Sequence, residues 1–368
     1  MAPILLFGAT GYTGTLTARA LRRRSADFAL AGRNRAKLEA LADETGASQV
    51  HVVEVGDVQG LVRALDGGRV LVSCVGPFMH LGDTAVEAAL LARTHYVDST
   101  GEGPFVKGLI TKDPRAREAR IAMAPAMGFD EVPADVTATL ATAGLGHPEL
   151  VLTYAFPSHG SRGTIRTSLD IAISEGQWIR AGKPIAIWAG HETRWAPMPS
   201  PLGPRRSVAF PFAEGYLAPL HLELSSMKLF LTSQRAQEAA MRFGRPLLRV
   251  LMETPARAAV EMVLKRLPDG PQEDQRDKDK WTILGEARAG NEWRNVALMG
   301  ADPYGMTAEL LASAAVEMSK DDYDKVGVLS PVQAMGLAPL QDELRKLGVT
   351  TNVFEVSDAA DLVAAAKH

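Results

Sequence analysis

The chain has 368 residues, of which 46% are hydrophobic and 23% are charged, and its net charge is −3. This length suffices for two domains with separate cores, and the composition is typical of soluble globular proteins. The slightly acidic balance gives no general reason to expect nucleic acid or another polyanion as a partner. Cys74 is the single cysteine, so an internal disulfide is excluded, and we interpret this residue as a small buried hydrophobe.

No apolar run reaches the roughly 18 residues that cross a bilayer, so we expect no transmembrane segment. The residues before the first glycine are apolar, but they lack the basic leader and the small-residue cleavage site of a secretory signal. Because the chain also has no cysteine pair, this pattern predicts a cytoplasmic protein.

The first half alternates short apolar runs with amphipathic segments. The run from Ile4 to Phe7 has no polar alternation, as expected for a strand covered on both faces. A helix is predicted after the glycines that come next in sequence. The same rhythm predicts further strands at FALAG, VHVVEV, RVLVSCVG, HYVDS and RIAMAPAMG. Strands that alternate with helices in this way predict an α/β fold with a parallel, doubly wound sheet of the Rossmann type.

The segment GATGYTG places Gly8, Gly11 and Gly14 between the first strand and the first helix. Gly8 permits a tight turn, Gly11 lets a diphosphate approach the backbone, and Gly14 allows close packing of helix on strand. Free amides and the helix dipole favour a phosphate here, so we predict a dinucleotide site. The alternative is a glycine-rich turn used only for packing. The predicted contacts of this loop also include Thr10, Tyr12 and Thr13.

The residues after the second strand indicate which dinucleotide binds. NAD-binding proteins usually place an acidic residue there for the ribose 2′-hydroxyl, whereas this chain has Arg33 followed by Asn34, the expected N-cap of the second helix. A guanidinium binds a 2′-phosphate through charge-assisted hydrogen bonds, so NADP(H) is predicted over NAD. Lys37 is included in the site, with a solvated helix start as the alternative. Asp57 is assigned either a place near the adenine or the N-cap of the third helix.

The loop after the fourth strand is expected to pass the nicotinamide side of the cofactor, beyond the carboxyl edge of the sheet. His80 is a candidate acid in this loop, with simple exposure as the alternative. After the fifth strand, Asp98 and Glu102 flank a glycine turn, where they either orient the substrate and relay a proton or serve as caps and loop ties. The predicted cofactor contacts in the first of these loops are Ser73, Val75, Gly76 and Pro77.

Beyond Asp135 the alternation of strands and helices ends. The segment SRGTIRTSLDIAISEGQWIRAG predicts a helix on which Arg162 and Arg166 either face an anionic substrate or have no functional role. The segment WTILGEARAGNEWRNVALMGAD predicts a hairpin that turns at residues 289–291. Residues 242–267 combine Leu, Val and Met with arginines, which indicates either a contact with a membrane or an acidic carrier protein, or two amphipathic helices with a solvated basic face.

Seven motifs stand in the order in which they occur in the saccharopine dehydrogenase-like oxidoreductases: GATGYTG, AGRN, VGPF, THYVDSTGE, GFDEVPAD, DPYGMTAELLA and GVLSPVQAMGL. The chain resembles in particular their trans-acting enoyl reductase branch, and the resemblance is weakest between residues 190 and 280. The chain departs from the family at Glu131 and Ala134, where relatives often have serine. The identity of the substrate therefore does not transfer directly.

The resemblance implies three segments. Residues 1–135 would form an NADP-binding Rossmann domain, and residues 136–305 a substrate and dimerisation domain of the α+β type with a mixed sheet. Residues 306–368 would form a C-terminal segment that returns to the Rossmann domain. The resemblance also implies NADP-linked reduction by an oxidoreductase and favours a homodimer.

Three functions fit these features, and none of them requires a metal. The first is an NADPH-dependent reductase of an activated double bond, in particular an enoyl thioester of lipid or polyketide metabolism, whose oxygen is polarised by backbone amides or an arginine. The second is a reductase of imines or carbonyls of amino-acid type, which needs cationic groups for two carboxylates. The third is a redox-sensing protein that binds NADP without turnover, because no Tyr-x-x-x-Lys pair indicates a proton donor.

Overall fold

Contacts divide the chain into two compact units. Unit 1 contains residues 2–132 and 303–343, and unit 2 contains the described parts of 133–302 and 344–355. The structure, a computed structural model, describes residues 2–157, 161–255, 257–264, 266 and 270–355.

Within the described residues, unit 1 is built on seven parallel strands: β1 (Ile4–Phe7), β2 (Phe28–Gly32), β3 (Gln49–Val52), β4 (Val70–Ser73), β5 (His95–Asp98), β6 (Ala122–Ala124) and β15 (Gly327–Val328). Their order is β15-β6-β5-β4-β1-β2-β3, so the strand order reverses between β1 and β4. Every residue of β1, β2 and β4 is buried, which explains their continuous apolar runs. The predicted Rossmann-type sheet is confirmed, and β15 adds a strand that was not predicted.

Two of the helices between these strands begin at a side-chain cap. Asn34 accepts a hydrogen bond from the amide of Lys37 at 3.0 Å and caps the second helix as predicted. Asp57 accepts one from the amide of Gly60 at 2.8 Å and caps the third. The helices are α1 (Tyr12–Arg23), α2 (Arg35–Thr45), α3 (Val58–Ala64), α4 (Phe78–Leu81), α5 (Asp83–Ala92), α6 (Gly103–Thr111) and α7 (Asp113–Ala119).

The segment that returns to unit 1 packs its long helix against α1. This segment contains α14 (Pro303–Met318), β15, α15 (Pro331–Met335) and the start of α16 (Leu337–Lys346). Tyr304 contacts Tyr12 edge to face, with ring centroids 5.2 Å apart. Glu309 accepts hydrogen bonds from Arg23 and Arg24 at the other end of α1. Residues 303–343 therefore complete the first unit from a distant part of the sequence.

Unit 2 is built on a mixed sheet, which has nine strands in the part of the chain that the structure describes: β7 (Glu149–Ala155), β8 (Gly176–Arg180), β9 (Lys183–Ile187), β10 (Thr193–Ala196), β11 (Arg205–Ala209), β12 (Ser226–Thr232), β13 (Trp281–Ala289), β14 (Glu292–Gly300) and β16 (Thr350–Glu355). The path runs β10-β11-β12-β7-β13-β14-β16, while β8 pairs with β12 and β9. The β12–β7 pair is parallel, and β13 is antiparallel to both β7 and β14. The predicted second α/β domain with a mixed sheet is confirmed.

Helix α8 (Glu131–Thr142) leads from unit 1 into unit 2. The prediction of one helix over residues 161–182 is wrong in its second half, because the chain turns into strand β8 at Gly176. A Cβ on Gly176 would lie 2.3 Å from Cβ of Pro211, so tertiary packing and pairing with two strands override the helical pattern. The other helices of unit 2 are α9 (Arg162–Ile173), α10 (Glu214–Leu217), α11 (Arg235–Glu253), α12 (Arg257–Leu264) and α13 (Glu273–Arg276), with a 3-10 turn at Ala218–Leu220.

The C-terminal part of the described chain divides between the two units. Residues 303–343 lie in unit 1, whereas β16 pairs antiparallel with β14 in the sheet of unit 2. The remainder of the predicted returning segment, residues 356–368, lies outside the described residues. The predicted hairpin is confirmed, since β13 ends at Ala289, β14 begins at Glu292, and Gly290 has a φ of 61°.

Candidate functional site

The loop between β1 and α1 has no room for side chains at two of its glycines. Gly8 has a φ of 79°, and a Cβ there would lie 2.8 Å from Cγ2 of Val75 and 3.0 Å from the carbonyl carbon of Cys74. A Cβ on Gly14 would lie 2.3 Å from the carbonyl oxygen of Gly8. The loop therefore packs against the segment behind β4, and its backbone is left bare at the reversal point of the strand order.

The start of α1 is suited to a phosphate group. Gly11 precedes the helix, no side chain caps it, and its first turn contains no acidic residue. The first amides of an α-helix have no partner within the helix, and the helix dipole adds partial positive charge there. A bare glycine backbone that leads into an uncapped helix fits the diphosphate of a dinucleotide. Thr10, Tyr12 and Thr13 lie in this turn as predicted, and their individual contacts stay predictions.

The residue that follows β2 in sequence carries an exposed guanidinium at the same edge of the sheet. Arg33 directly follows Gly32, the last residue of β2, and its side chain is exposed. A Cβ on Gly32 would lie 4.0 Å from Oγ1 of Thr10, so this strand end lies beside the glycine loop. Asn34 uses its side-chain oxygen for the helix cap and Lys37 lies in the first turn of α2. This position agrees with the predicted contact between Arg33 and a 2′-phosphate, which stays a prediction.

The loop behind β4 is held by a buried carboxylate. Oε1 of Glu102 accepts a hydrogen bond from the amide of Phe78 at 2.8 Å, and Oε2 accepts one from the amide of Met79 at 2.7 Å. Glu102 is fully buried. The peptide bond between Gly76 and Pro77 is cis, and both residues immediately precede these amides. These contacts correspond to the loop-tie interpretation of Glu102, while a part in proton transfer stays a prediction.

We expect Glu102→Gln to loosen this loop. The amide oxygen of glutamine accepts from one of the two N–H groups, whereas its NH2 group faces the other donor, so one buried amide loses its acceptor. The free energy of unfolding should fall by about 1–3 kcal/mol, and hydrogen exchange at Phe78 and Met79 should accelerate. Glu87→Gln is the matched control, because Glu87 makes half-exposed ion pairs that are worth about 0–1 kcal/mol. Equal effects of the two substitutions would contradict the role of Glu102.

Asp98 ties the end of β5 to the end of β6. Its Oδ2 accepts a hydrogen bond from the hydroxyl of Tyr96 at 2.6 Å, and its Oδ1 accepts from the amides of Thr100 at 2.8 Å and Ala126 at 3.0 Å. The residue is fully buried. Burial raises the pKa of Asp98 to about 6, because the apolar surroundings disfavour the charged carboxylate more than these hydrogen bonds favour it.

This shift makes stability depend on pH with a defined sign. The native carboxyl of Asp98 binds its proton more tightly than an ordinary aspartate of pKa 3.8, so its contribution to the free energy of unfolding falls as the pH rises through about 6. Asp98→Asn keeps the oxygen that accepts from the two amides and has no charge. Between pH 4 and pH 7 its stability should therefore gain up to about 3 kcal/mol relative to the wild type. Parallel pH profiles in urea denaturation would contradict this assignment.

The remaining candidates are distributed over several elements. His80 is exposed in α4. Ser73 is the last residue of β4, and Val75 follows it by two residues. Asp57 caps α3, and a contact with the adenine stays a prediction. Arg162 and Arg166 are half-buried on α9, which belongs to unit 2.

Sequence reasoning missed a buried carboxylate beside the predicted ones. The side chain of Glu131 is fully buried at the start of α8. A Cβ on Gly101 would lie 2.9 Å from its Oε1, and a Cβ on Gly128 would lie 3.3 Å from its Oε2. The signal was the glycine in both THYVDSTGE and GFDEVPAD, because two glycines leave room for one carboxylate between two loops.

Two other classes of site are absent from the described ranges. Among these residues, no group of three or more His, Cys, Asp or Glu side chains could hold a metal ion. No helix of this part of the chain combines the length and the apolar character needed to cross a membrane.

Similarity to known proteins points to the same cofactor. Residues 4–127 match the family model of the saccharopine dehydrogenase NADP binding domain. The chain is 32% identical over 197 residues to the trans-acting enoyl reductase of Mycobacterium ulcerans, covering 48% of this chain and 47% of that protein. It is 35% identical over 141 residues to a putative trans-acting enoyl reductase of Mycobacterium tuberculosis, covering 36% of this chain and 34% of that protein. The matches thus span about half, or less, of the length of these relatives.

The three-dimensional likeness extends over the whole fold. The apo form of saccharopine dehydrogenase (L-Glu forming) from Saccharomyces cerevisiae superposes with a TM-score of 0.64 and 14% identity, covering 97% of this chain and 100% of that chain. At this identity the likeness concerns the fold alone. The family match and the bare loop before an uncapped helix lead to one conclusion: residues 4–127 of this chain form an NADP-binding domain.

Proposed function

We propose that this chain is an NADPH-dependent oxidoreductase that reduces the carbon–carbon double bond of an enoyl thioester in lipid or polyketide metabolism. The observation that carries the proposal is the length of the match to the enoyl reductase of M. ulcerans. A match that covers 48% of the chain is longer than residues 1–132, the first segment of unit 1, so it includes part of unit 2. The likeness therefore extends beyond the domain that binds the cofactor.

Three of the four proposed roles belong to residues at the edge of the parallel sheet. Bound NADPH supplies the hydride for the β-carbon of the substrate. The first amides of α1 hold the diphosphate, and Arg33 holds the 2′-phosphate. The loop behind β4 forms a wall that Glu102 keeps in place. Arg162 and Arg166 are proposed to bind an anionic part of the substrate, such as the phosphate of a phosphopantetheine arm.

The test compares two substrate panels by the loss of NADPH absorbance. Crotonyl-type thioesters should be reduced, with saturated acyl products in the mass spectrum, whereas 2-oxo acids combined with amines should leave NADPH unchanged. Gly14→Ala is the negative control, because this variant is expected not to bind NADPH tightly. Oxidation of NADPH by the second panel would replace the proposal with an imine or carbonyl reductase. Tight NADPH binding without oxidation by either panel would favour a redox sensor.

We further propose that the chain acts as a cytoplasmic homodimer, which rests on the family resemblance and on the single cysteine. Sedimentation equilibrium should give twice the chain mass of 39.4 kDa. A mass of one chain at all concentrations would overturn the dimer, and recovery from a compartment other than the cytoplasm after cell fractionation would overturn the location.

A further inference from the structure

Two neighbouring helices of unit 2 carry an unusual share of exposed apolar surface. Twelve large hydrophobic side chains are exposed among the described residues, and five of them lie on α11 and α12, which contact each other. Solvent-exposed hydrophobic residues are normal when scattered, but a cluster on one surface indicates an interaction site. The five are Phe243 and Leu247 (75% exposed each) and Val250, Met262 and Val263 (60% each).

Helix α11 has apolar residues on two opposite faces. Met241, Leu248 and Met252 recur at helical spacing and are partly or fully buried, so this face packs on unit 2. A second stripe recurs at the same spacing but is rotated by roughly half a turn, because each residue advances about 100° around the helix axis. The core of unit 2 thus leaves this outer stripe uncovered. Its members are Ala236, Ala240, Phe243, Leu247 and Val250.

A row of arginines runs beside the outer stripe. Arg235, Arg242 and Arg249 follow each other at intervals of seven residues, so they lie along one side of the helix, and all three are exposed. Residues 235–266 contain seven basic and three acidic residues, although the whole chain has a net charge of −3. One of the three acids, Glu238, and one of the seven basic residues, Arg257, are engaged in ion pairs with residues outside this segment. The surface around the stripe is therefore locally positive.

From this juxtaposition of apolar stripe and arginine row we propose that the outer face of α11 docks onto the surface of an anionic lipid membrane. A helix that lies in the interface needs an apolar stripe for the acyl boundary and arginines beside it for the lipid phosphates, and α11 has both. A second copy of this chain would bring the same positive surface face to face with itself, and like charges would oppose that contact. This inference does not depend on which reaction the site catalyses.

The test is co-sedimentation with vesicles. The full chain should bind vesicles made of equal parts of phosphatidylglycerol and phosphatidylcholine, bind pure phosphatidylcholine vesicles far more weakly, and dissociate as salt screens the charges. The double variant F243S/L247S should lower the partition coefficient by about tenfold or more, and R242E/R249E should lower it mainly at low salt. Leu91→Ser is the matched control, because Leu91 is 56% exposed on α5 in unit 1.

NADPH affinity and circular dichroism should be unchanged in all these variants, which separates a failure of this inference from a failure of the proposed function. No vesicle binding, or binding that F243S/L247S leaves intact, would overturn the inference. Equal binding to neutral vesicles would overturn the assignment to anionic lipid. Loss of self-association in F243S/L247S without vesicle binding would make a second copy the occupant, and binding of an acidic acyl carrier protein in place of vesicles would make a protein the occupant.

Discussion

Replacing Gly14 by alanine is expected to abolish tight NADPH binding and to destabilise unit 1. The new Cβ would lie 2.3 Å from the carbonyl oxygen of Gly8 and 2.9 Å from Cα of Ala9, and both contacts are to backbone. Helix α1 must then move away from the loop that carries the bare amides. The dissociation constant of NADPH should rise by about tenfold or more, and the free energy of unfolding should fall by about 1–3 kcal/mol.

Gly108→Ala is the matched control for this substitution. Gly108 lies inside α6 of the same unit, and a Cβ there would meet no atom within 4 Å. Alanine at this position should stabilise the helix by about 0.5–1 kcal/mol and leave NADPH binding unchanged. Fluorescence titration with NADPH and urea denaturation of both variants give the comparison. Wild-type affinity in Gly14→Ala would show that the cofactor does not lie against the start of α1.

Replacing Arg33 by aspartate is expected to remove the preference for NADPH over NADH. The substitution exchanges a cation for an anion where the 2′-phosphate is expected, and charge-assisted hydrogen bonds contribute about 1.5–3 kcal/mol each. NADPH affinity should therefore fall by about tenfold to a hundredfold, whereas NADH affinity should stay within about twofold. Because Arg33 is exposed and lies beyond the end of β2, stability should change little.

The control for this prediction is Lys107→Asp. Lys107 lies on α6 of the same unit, and it is exposed. The substitution makes the same change of net charge, so any loss of NADPH affinity that it causes measures the general electrostatic effect. If Arg33→Asp lowers NADPH affinity no more than Lys107→Asp does, or lowers NADH affinity equally, the 2′-phosphate is bound elsewhere.

The two carboxylates predicted as catalytic share a structural use. Asp98 and Glu102 are both fully buried, and each accepts two hydrogen bonds from backbone amides at the carboxyl edge of the parallel sheet. For Asp98 these amides belong to loops, and for Glu102 they belong to the first turn of α4. Such amides have no partner in a ladder or within a helix, so a buried carboxylate that accepts from two of them fixes the local backbone in one conformation. The residue types are the same for a proton relay and for a loop tie, and only the positions of the donors distinguish them.

Features that depend on neighbouring residues could be predicted from the sequence, whereas features that depend on distant residues could not. The apolar strands, the glycine loop, the cap at Asn34 and the hairpin around Gly290 depend on neighbours in sequence, and the structure confirms them. The single helix expected across residues 161–182 fails in its second half because strand β8 pairs with β9, which follows after a two-residue turn, and with β12, which lies far along the chain. The pairing with β12 has no local signal.

The amino-acid sequence by itself determined the alternating first unit and the glycine loop, because burial of both sheet faces and the steric demands of a tight turn act on adjacent residues. The tertiary structure alone decided that Glu102 holds the amides of Phe78 and Met79, that residues 303–343 pack on α1, and that the outer stripe of α11 stays uncovered. Each of these facts depends on which distant surfaces meet, and the residue pattern of α11 is the same for a buried face as for an exposed one.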